Sequence, residues 1–440
     1  MTAGARPILQ RVPPEGIDWA KAAPVDVSAV VDEVRRRGDA ALFELAARFG
    51  DPPFREIGRD EIGTAVAAIP PALRRSMENV AARVERFARA QRSSLTDFSY
   101  EIGGFRVGQR AIAVERAGIY VPAGRYPLPS SLLMGVVTAR AAGVGEVIVC
   151  TPRAGPEMLA AARIAGADRV FAIGGAQAIA ALAFGTRSVP RVDCIAGPGN
   201  AYVAQAKRLV FGSCGIDTIA GPSEVVVIAS GDANADWIAA DLLAQAEHDV
   251  DARALLLTDD PGLADAVESA LGRRLTTLQT AQTAATALDR HGYSSVVPLK
   301  KAVAIVNALA PEHLELHGSA AERLAGDVKA YGALFIGTRS AEVFGDYGIG
   351  PNHVLPTSSC ARFSGGLSVY TFLTVRNFTQ ALGRVDAGII DDTVELARTE
   401  GLYAHLEAAS CRRDRTAGAS FRRKGGPCAD GPPSLLRLSL

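Results

Sequence analysis

Paired cysteines are missing. The six cysteines, Cys150, Cys194, Cys214, Cys360, Cys411 and Cys428, include no Cys-x-x-Cys. This excludes a zinc ribbon and a thioredoxin-type motif. Cys150 and Cys194 each end an apolar run and read as small buried hydrophobes. No stretch approaches the ~20 unbroken apolar residues of a membrane span. Met1 to Arg11 lack the long apolar segment of a secretory signal, so a reduced cytoplasm is expected. A charge excess is also missing, because 47 Lys plus Arg balance 47 Asp plus Glu. General binders of nucleic acid or membrane surfaces carry a basic excess, so neither partner is expected. The glycine fingerprint G-x-G-x-x-G is absent as well.

What is present is a soluble globular balance, with 48% hydrophobic and 21% charged residues in 440. That length supports two or more domains with cores of their own. Prolines 7, 13, 14 and 24 suggest an extended N-terminal arm. Val25 to Phe49 and Ile62 to Ser94 show helical spacing, the latter broken near Pro70 and Pro71. Ala111 to Val114 and Gly118 to Val121 are short β-rich runs. Strand and helix then alternate. Strands are expected at Gly145–Cys150, Arg169–Ile173, Val192–Ile195, Ser223–Ala229 and Arg253–Leu257, with helices between them, including Asp232–His248. This pattern predicts an α/β fold with doubly wound parallel sheets, two in number. The segment from Cys411 to Leu440 is rich in Arg, Gly and Pro and lacks periodicity, so 412–440 is expected to be a disordered basic tail.

Several segments carry chemistry-bearing residues. Gln245 and His248 stand three apart near a helix end, where they can offer oxygen and nitrogen to zinc or simply meet the last helix carbonyls. Pro311-Glu-His-Leu-Glu-Leu316 sets Glu312 beside His313. In a turn the two can share proton transfer; at a solvated helix end they do nothing special. Gly345-Asp-Tyr-Gly-Ile-Gly-Pro-Asn-His353 places Asp346 and His353 in a glycine-rich loop, a functional loop or a rigid turn with a capping Asp. Glu400 and His405 add a carboxylate and an imidazole near the end of the folded region. Gly174-Gly-Ala-Gln177 and Gly197-Pro-Gly-Asn200 lie between strand and helix, where helix N-termini attract phosphate, although such glycines also serve tight turns.

Taken together, these segments resemble the histidinol dehydrogenase family. The resemblance runs from about residue 10 to 410. It is carried by Gly118-Ile-Tyr-Val-Pro122, Gly174-Gly-Ala-Gln-Ala-Ile179, Gly197-Pro-Gly-Asn-Ala-Tyr-Val203 and Gly221-Pro-Ser-Glu-Val225. Gln245-Ala-Glu-His248, Pro311-Glu-His-Leu-Glu315, Gly345-Asp-Tyr347 with Asn352 to Thr357, and Glu400 to His405 continue it. Eight separated motifs in one order are far more specific than any single one. Only Gly348-Ile-Gly350-Pro351 and the tail depart from the pattern.

The resemblance implies zinc-dependent oxidation of L-histidinol to L-histidine via histidinal, with two NAD reduced. Zinc ligands would be Gln245, His248, Asp346 and His405, the last from the partner subunit of a homodimer. Glu312 and His313 would transfer protons. Ser223, His353 and Glu400 would contact the substrate, together with His313 and the four zinc ligands. Tyr120, Gln177 and Asn200 would line the NAD site. The implied fold has two similar, incomplete Rossmann-like domains and terminal segments swapped in the homodimer. Its expected boundaries are an arm over 1–13, a discontinuous first domain over 14–119 and 228–368, a second, NAD-binding domain over 120–227, and a dimerisation segment over 369–411. A paralogous dehydrogenase of another diol or amino alcohol, such as sulfopropanediol, is the alternative. The Glu400 carboxylate suits a cationic substrate better than a sulfonate.

Overall fold

The computed structural model describes residues 7–12, 25–122 and 127–413. The tail expectation for 412–440 therefore lies almost wholly outside the described residues, as does most of the arm. The strands in chain order are β1 Gln10–Arg11, β2 Arg55–Glu56, β3 Phe98–Ile102, β4 Phe105–Ala113, β5 Arg116–Tyr120, β6 Glu146–Thr151, β7 Arg169–Ala172, β8 Cys194–Ala196, β9 Gly215–Ile216, β10 Glu224–Ala229, β11 Arg253–Thr258, β12 Gly292–Val296, β13 His313–His317, β14 Ala333–Ile336 and β15 Leu373–Ala381.

The chain divides into two compact units. The larger holds Met1–Thr96 and Ala111–Val375 and contains two six-stranded sheets. One runs β1-β12-β11-β10-β13-β14 and is parallel throughout. The other runs β2-β7-β6-β5-β8-β9, parallel except for the edge strand β2. From β10 and from β5 the chain steps outward twice to one side, then crosses to the other, so the two sheets repeat one doubly wound order. The smaller unit comprises Asp97–Arg110 and Arg376–Leu440. It contains the antiparallel pair β3 and β4 along most of its length, much of β15, and helices Ala387–Thr399 and Tyr403–Ser410.

Continuous apolar runs make the central strands. Glu224-Val-Val-Val-Ile-Ala229 and Arg253-Ala-Leu-Leu-Leu-Thr258 are buried at every position, as a parallel sheet covered on both faces requires. One face packs Val225, Val227 and Leu256 against helices Ala235–Ala246, Pro261–Leu275 and Ala281–His291. The other packs Val226, Leu255 and Leu257 against helix Leu299–Leu309.

The observed grouping differs from the expected boundaries. Helix Pro71–Ser94 places Met77, Ala81, Val84 and Ala88 on the face of the second sheet that holds Ala117, Val147 and Val149. Helices Ser28–Arg37 and Asp39–Phe49 cover its other face through Val31, Val34, Leu42 and Leu45, against Ile148 and Phe171. The segment assigned from sequence to the first domain therefore shields the second sheet. The reason is that this sheet needs two helical layers, and the amphipathic helices before Thr96 supply part of both. Strands β5 and β10 also lie whole within their sheets, although the expected boundaries cut each of them.

Candidate active site

Strand β13, His313-Leu-Glu-Leu-His317, is wholly buried. Alternate residues of a strand face opposite sides. Leu314 and Leu316 join the apolar cluster on one face. His313, Glu315 and His317 therefore form a polar row on the other. Glu312 precedes the strand and is buried as well. The turn and the solvated helix end considered from sequence are both replaced, because His313 begins a strand held between β10 and β14.

The N-terminal ends of β10 and β13 lie side by side. The backbone N–H of Glu224 donates to Glu312 Oε2 at 2.9 Å. His313 Nδ1 lies 3.2 Å from the Glu224 carbonyl oxygen. A carbonyl can only accept, so Nδ1 carries the hydrogen and Nε2 presents its lone pair. That Nε2 is 3.9 Å from Asp346 Oδ1. Burial pushes Glu312 well above the usual carboxylate range, against the Glu224 N–H that favours its charged form. Burial likewise lowers the proton affinity of His313, against the raising influence of Asp346. Glu224 takes hydrogen bonds from Arg253 at 3.1 Å and from the Ser358 N–H at 3.0 Å. Burial still brings it up to about 7.

Helix Ala235–Ala246 supplies Gln245. His248 falls just beyond the helix end, with its N–H on the Gln245 carbonyl at 3.3 Å, so the two share a turn rather than a helix face. Asp346 ends the short helix Glu342–Asp346, which packs on helix Ala235–Ala246. It is thus the last residue of a helical turn and not the cap considered from sequence. His248 Nε2 stands 3.6 Å from Asp346 Oδ2. The Asp346 carboxylate beside it raises the imidazole above its ordinary range, against burial. Burial alone raises Asp346, but His248 and the nearby His313 and His353 outweigh it and bring it down to about 2.

Gln245 tests whether a metal fits. Its side chain is completely buried, and neither the amide oxygen nor the nitrogen has a hydrogen-bond partner. Leaving a buried polar group unpaired costs about 1–3 kcal/mol, so such a group points to a missing ligand. Together with His248 and Asp346 it offers nitrogen and oxygen donors and no thiolate, a set that suits zinc.

His353 lies in the loop after Asp346. Its Nδ1–H donates to the Asp346 carbonyl at 2.7 Å, and Nε2 accepts from the Ser131 hydroxyl at 3.0 Å. Ser223 sits half-buried at the head of β10. Glu400 caps helix Ala387–Thr399, and His405 lies exposed on helix Tyr403–Ser410, both in the smaller unit.

The other three candidates gather at the C-terminal edge of the second sheet. Tyr120 ends β5, and its hydroxyl accepts the Gly175 N–H at 3.1 Å. Gln177 is buried and donates to Asp51 Oδ2 at 3.2 Å. Asn200 caps helix Ala201–Val210 by accepting the Val203 N–H at 3.2 Å. The turn before it has no room for a side chain: at Gly197 (φ +120°) a Cβ would stand 2.0 Å from the Tyr120 backbone carbonyl oxygen. Lys207 and Asp217, both buried, fasten the same turn. Lys207 Nζ donates to Asp217 at 2.5 Å and to the Gly197 carbonyl at 2.6 Å. Asp217 accepts the Gly197 N–H at 2.7 Å.

Five buried residues beyond the sequence candidates, Glu224, Asp241, Glu315, His317 and Glu342, lie on the elements that build the first site. Glu224 and Glu315 lie inside motifs already noted, but as strand residues they gave no separate signal. Glu342 precedes Asp346 by one helical turn, and that spacing was the available clue. Asp241 precedes Gln245 by the same spacing. Asp241, Glu315 and His317 bring a carboxylate or imidazole atom each within 4.8 Å of one another, all buried.

Residues 17–413 match the family described as histidinol dehydrogenase. The chain is 47% identical over 400 residues to histidinol dehydrogenase of Rhodospirillum rubrum, covering 88% of this chain and 92% of that protein. It is 45% identical over 418 residues to that of Bordetella parapertussis, covering 91% and 92%. The crystal structure of histidinol dehydrogenase from Elizabethkingia anophelis superposes with a TM-score of 0.86 at 31% identity, covering 93% of this chain and 99% of that one.

Proposed function

The chain belongs to the histidinol dehydrogenase family, and on that premise we propose that it oxidises L-histidinol to L-histidine through bound histidinal, reducing two NAD at a zinc-dependent site. One observation carries this reading: Glu312, His313, His248 and Asp346 gather in one place, at and beside the N-terminal end of β13, with Gln245, whose buried amide has no partner, joined to His248 by a backbone hydrogen bond. The reaction belongs to histidine biosynthesis and is placed in the cytoplasm. Among the described residues no helix is long and apolar enough to cross a membrane.

Gln245, His248 and Asp346 would hold zinc, with His405 of the partner subunit as the fourth ligand. Bound there, zinc supplies a fixed cation for the imidazole and amine nitrogens of the substrate, and NAD supplies the hydride acceptor. His313 removes the hydroxyl proton through Nε2, the nitrogen left free by the bond of Nδ1 to the Glu224 carbonyl. The aldehyde stays at the site. Glu312 then takes a proton from the water that attacks it, a task suited to a carboxylate whose proton affinity is raised by burial. Ser223, His353 and Glu400 contact the substrate, and the Glu400 carboxylate suits a cationic one. Tyr120, Gln177 and Asn200 form the NAD site at the strand ends of the second sheet, where doubly wound sheets take dinucleotides. Tyr120 and Gln177 shape it from beneath, through Gly175 and Asp51.

Comparing kcat/KM for L-histidinol and for sulfopropanediol, with NADH formation as the readout, tests the assignment. Strong preference for histidinol supports it. Preference for the sulfonate, or no turnover of either, overturns it.

A further inference from the structure

Glu342 is not explained by the chemistry above. It opens the short helix that ends in Asp346 and is 1% exposed. Neither of its carboxylate oxygens has a hydrogen-bond partner. One of them, Oε2, stands 3.6 Å from His313 Nδ1. A buried carboxyl group without a donor is costly, and natural chains keep few of them.

The backbone around Glu342 is held. Its N–H donates to Glu315 Oε1 at 2.8 Å. The other oxygen of Glu315 lies 3.0 Å from His317 Nε2. His313, Glu315 and His317 share one face of β13, so the strand that carries the imidazole also pins the helix that carries Glu342. The carboxyl group is thus fixed beside Nδ1 by a different part of its own residue, and its oxygens remain available to the ring.

We infer that Glu342 is a positioning residue for His313, offering Nδ1–H a second acceptor beside the Glu224 carbonyl. Two acceptors on one side of the ring oppose its rotation and keep the hydrogen on Nδ1. Nε2 then faces Asp346 and the substrate with its lone pair. An acceptor oxygen is present in the carboxylate and in the neutral acid alike, so the role needs no particular charge on Glu342. The inference rests on the reading of His313 as the base of the alcohol step.

Three variants of the zinc-loaded enzyme test it. Glu342→Leu keeps the approximate volume and removes the acceptor. Its kcat for histidinol should fall about ten- to a hundredfold, the usual cost of losing a partner that orients a functional imidazole. Its KM and zinc content should stay near those of the parent. Glu342→Gln retains an acceptor oxygen and should recover most of the loss. In a His313→Asn background, Glu342→Leu should add nothing, because the ring it positions is gone. Parental kcat in Glu342→Leu, or equal losses in the Leu and Gln variants, overturns the inference. So does a loss of zinc in step with kcat, which would place the effect on Asp346. If Glu342→Leu does not fold, Glu342→Gln and Glu342→Ala are compared in the same cycle, with the same outcomes. Full activity in His313→Asn alone is a different failure, that of the base assignment.

Discussion

The turn at Gly197 gives the sharpest test of how the second sheet builds its ligand edge. Lys207 and Asp217 are almost fully buried, with side chains 3% and 0% exposed, and their ion pair spans 2.5 Å. Lys207 also donates to the Gly197 and Thr218 carbonyls, while Asp217 accepts the N–H groups of Gly197 and Thr218. Lys207→Met removes the cation and leaves the carboxylate buried with only backbone donors. Breaking a buried pair from one side costs about 3–5 kcal/mol. At about 1–2 °C per kcal/mol for a unit larger than 250 residues, Tm should fall by roughly 3–10 °C. The double variant Lys207→Met/Asp217→Asn leaves no uncompensated charge and should be less destabilised than Lys207→Met alone. Because the pair fastens the turn before Asn200, KM for NAD should rise while KM for histidinol changes little. Thermal unfolding of the single and double variants, with steady-state kinetics in each substrate, gives both readouts. A Lys207→Met protein within about 1 kcal/mol of the parent, or a double variant less stable than Lys207→Met, would show that the pair does not fasten this turn.

Other outcomes follow from the first site. His248→Asn should lower zinc content and activity together; unchanged zinc by metal analysis removes His248 from the ligand set. Glu312→Gln should slow histidinal oxidation about a hundredfold or more and histidinol oxidation less; rapid-mixing assays with each substrate show whether the roles are reversed. Mixing a His248 variant with a His405 variant should restore part of the activity on subunit exchange, since one site of each mixed dimer would hold neither defect. Exchange without recovery would remove the shared site.

The α/β architecture could be read from the apolar runs at β6, β10 and β11, because strands buried on both faces need continuous hydrophobic sequence. Which sheet the early helices cover could not. Met77 and Val84 mark an apolar helix face, and a face shows only that something is covered, not what. The residues Glu312, His313, Asp346 and His248 stood out because ionisable groups clustered in short segments. Their convergence came from helix Glu342–Asp346 packing on helix Ala235–Ala246 and from Asp346 reaching both His248 and His313, contacts between residues far apart in the chain. Glu224, Glu315 and Glu342 were hidden for a related reason. A carboxylate in a strand or a short helix looks solvated until the fold buries it. The alternation of His313, Glu315 and His317 with two leucines was a weak sign, since strict alternation usually marks a half-exposed strand, whereas β13 is buried on both faces.

In the proposed reaction one site carries out both oxidations in sequence, with His313 and Glu312 serving successive steps. Counting NADH formed per L-histidinol consumed, with the end product identified by chromatography, measures this directly. Two NADH for each histidinol, with L-histidine as product and no accumulation of free histidinal, is the predicted result. One NADH for each histidinol with release of the aldehyde, or no NADH at all, would contradict it.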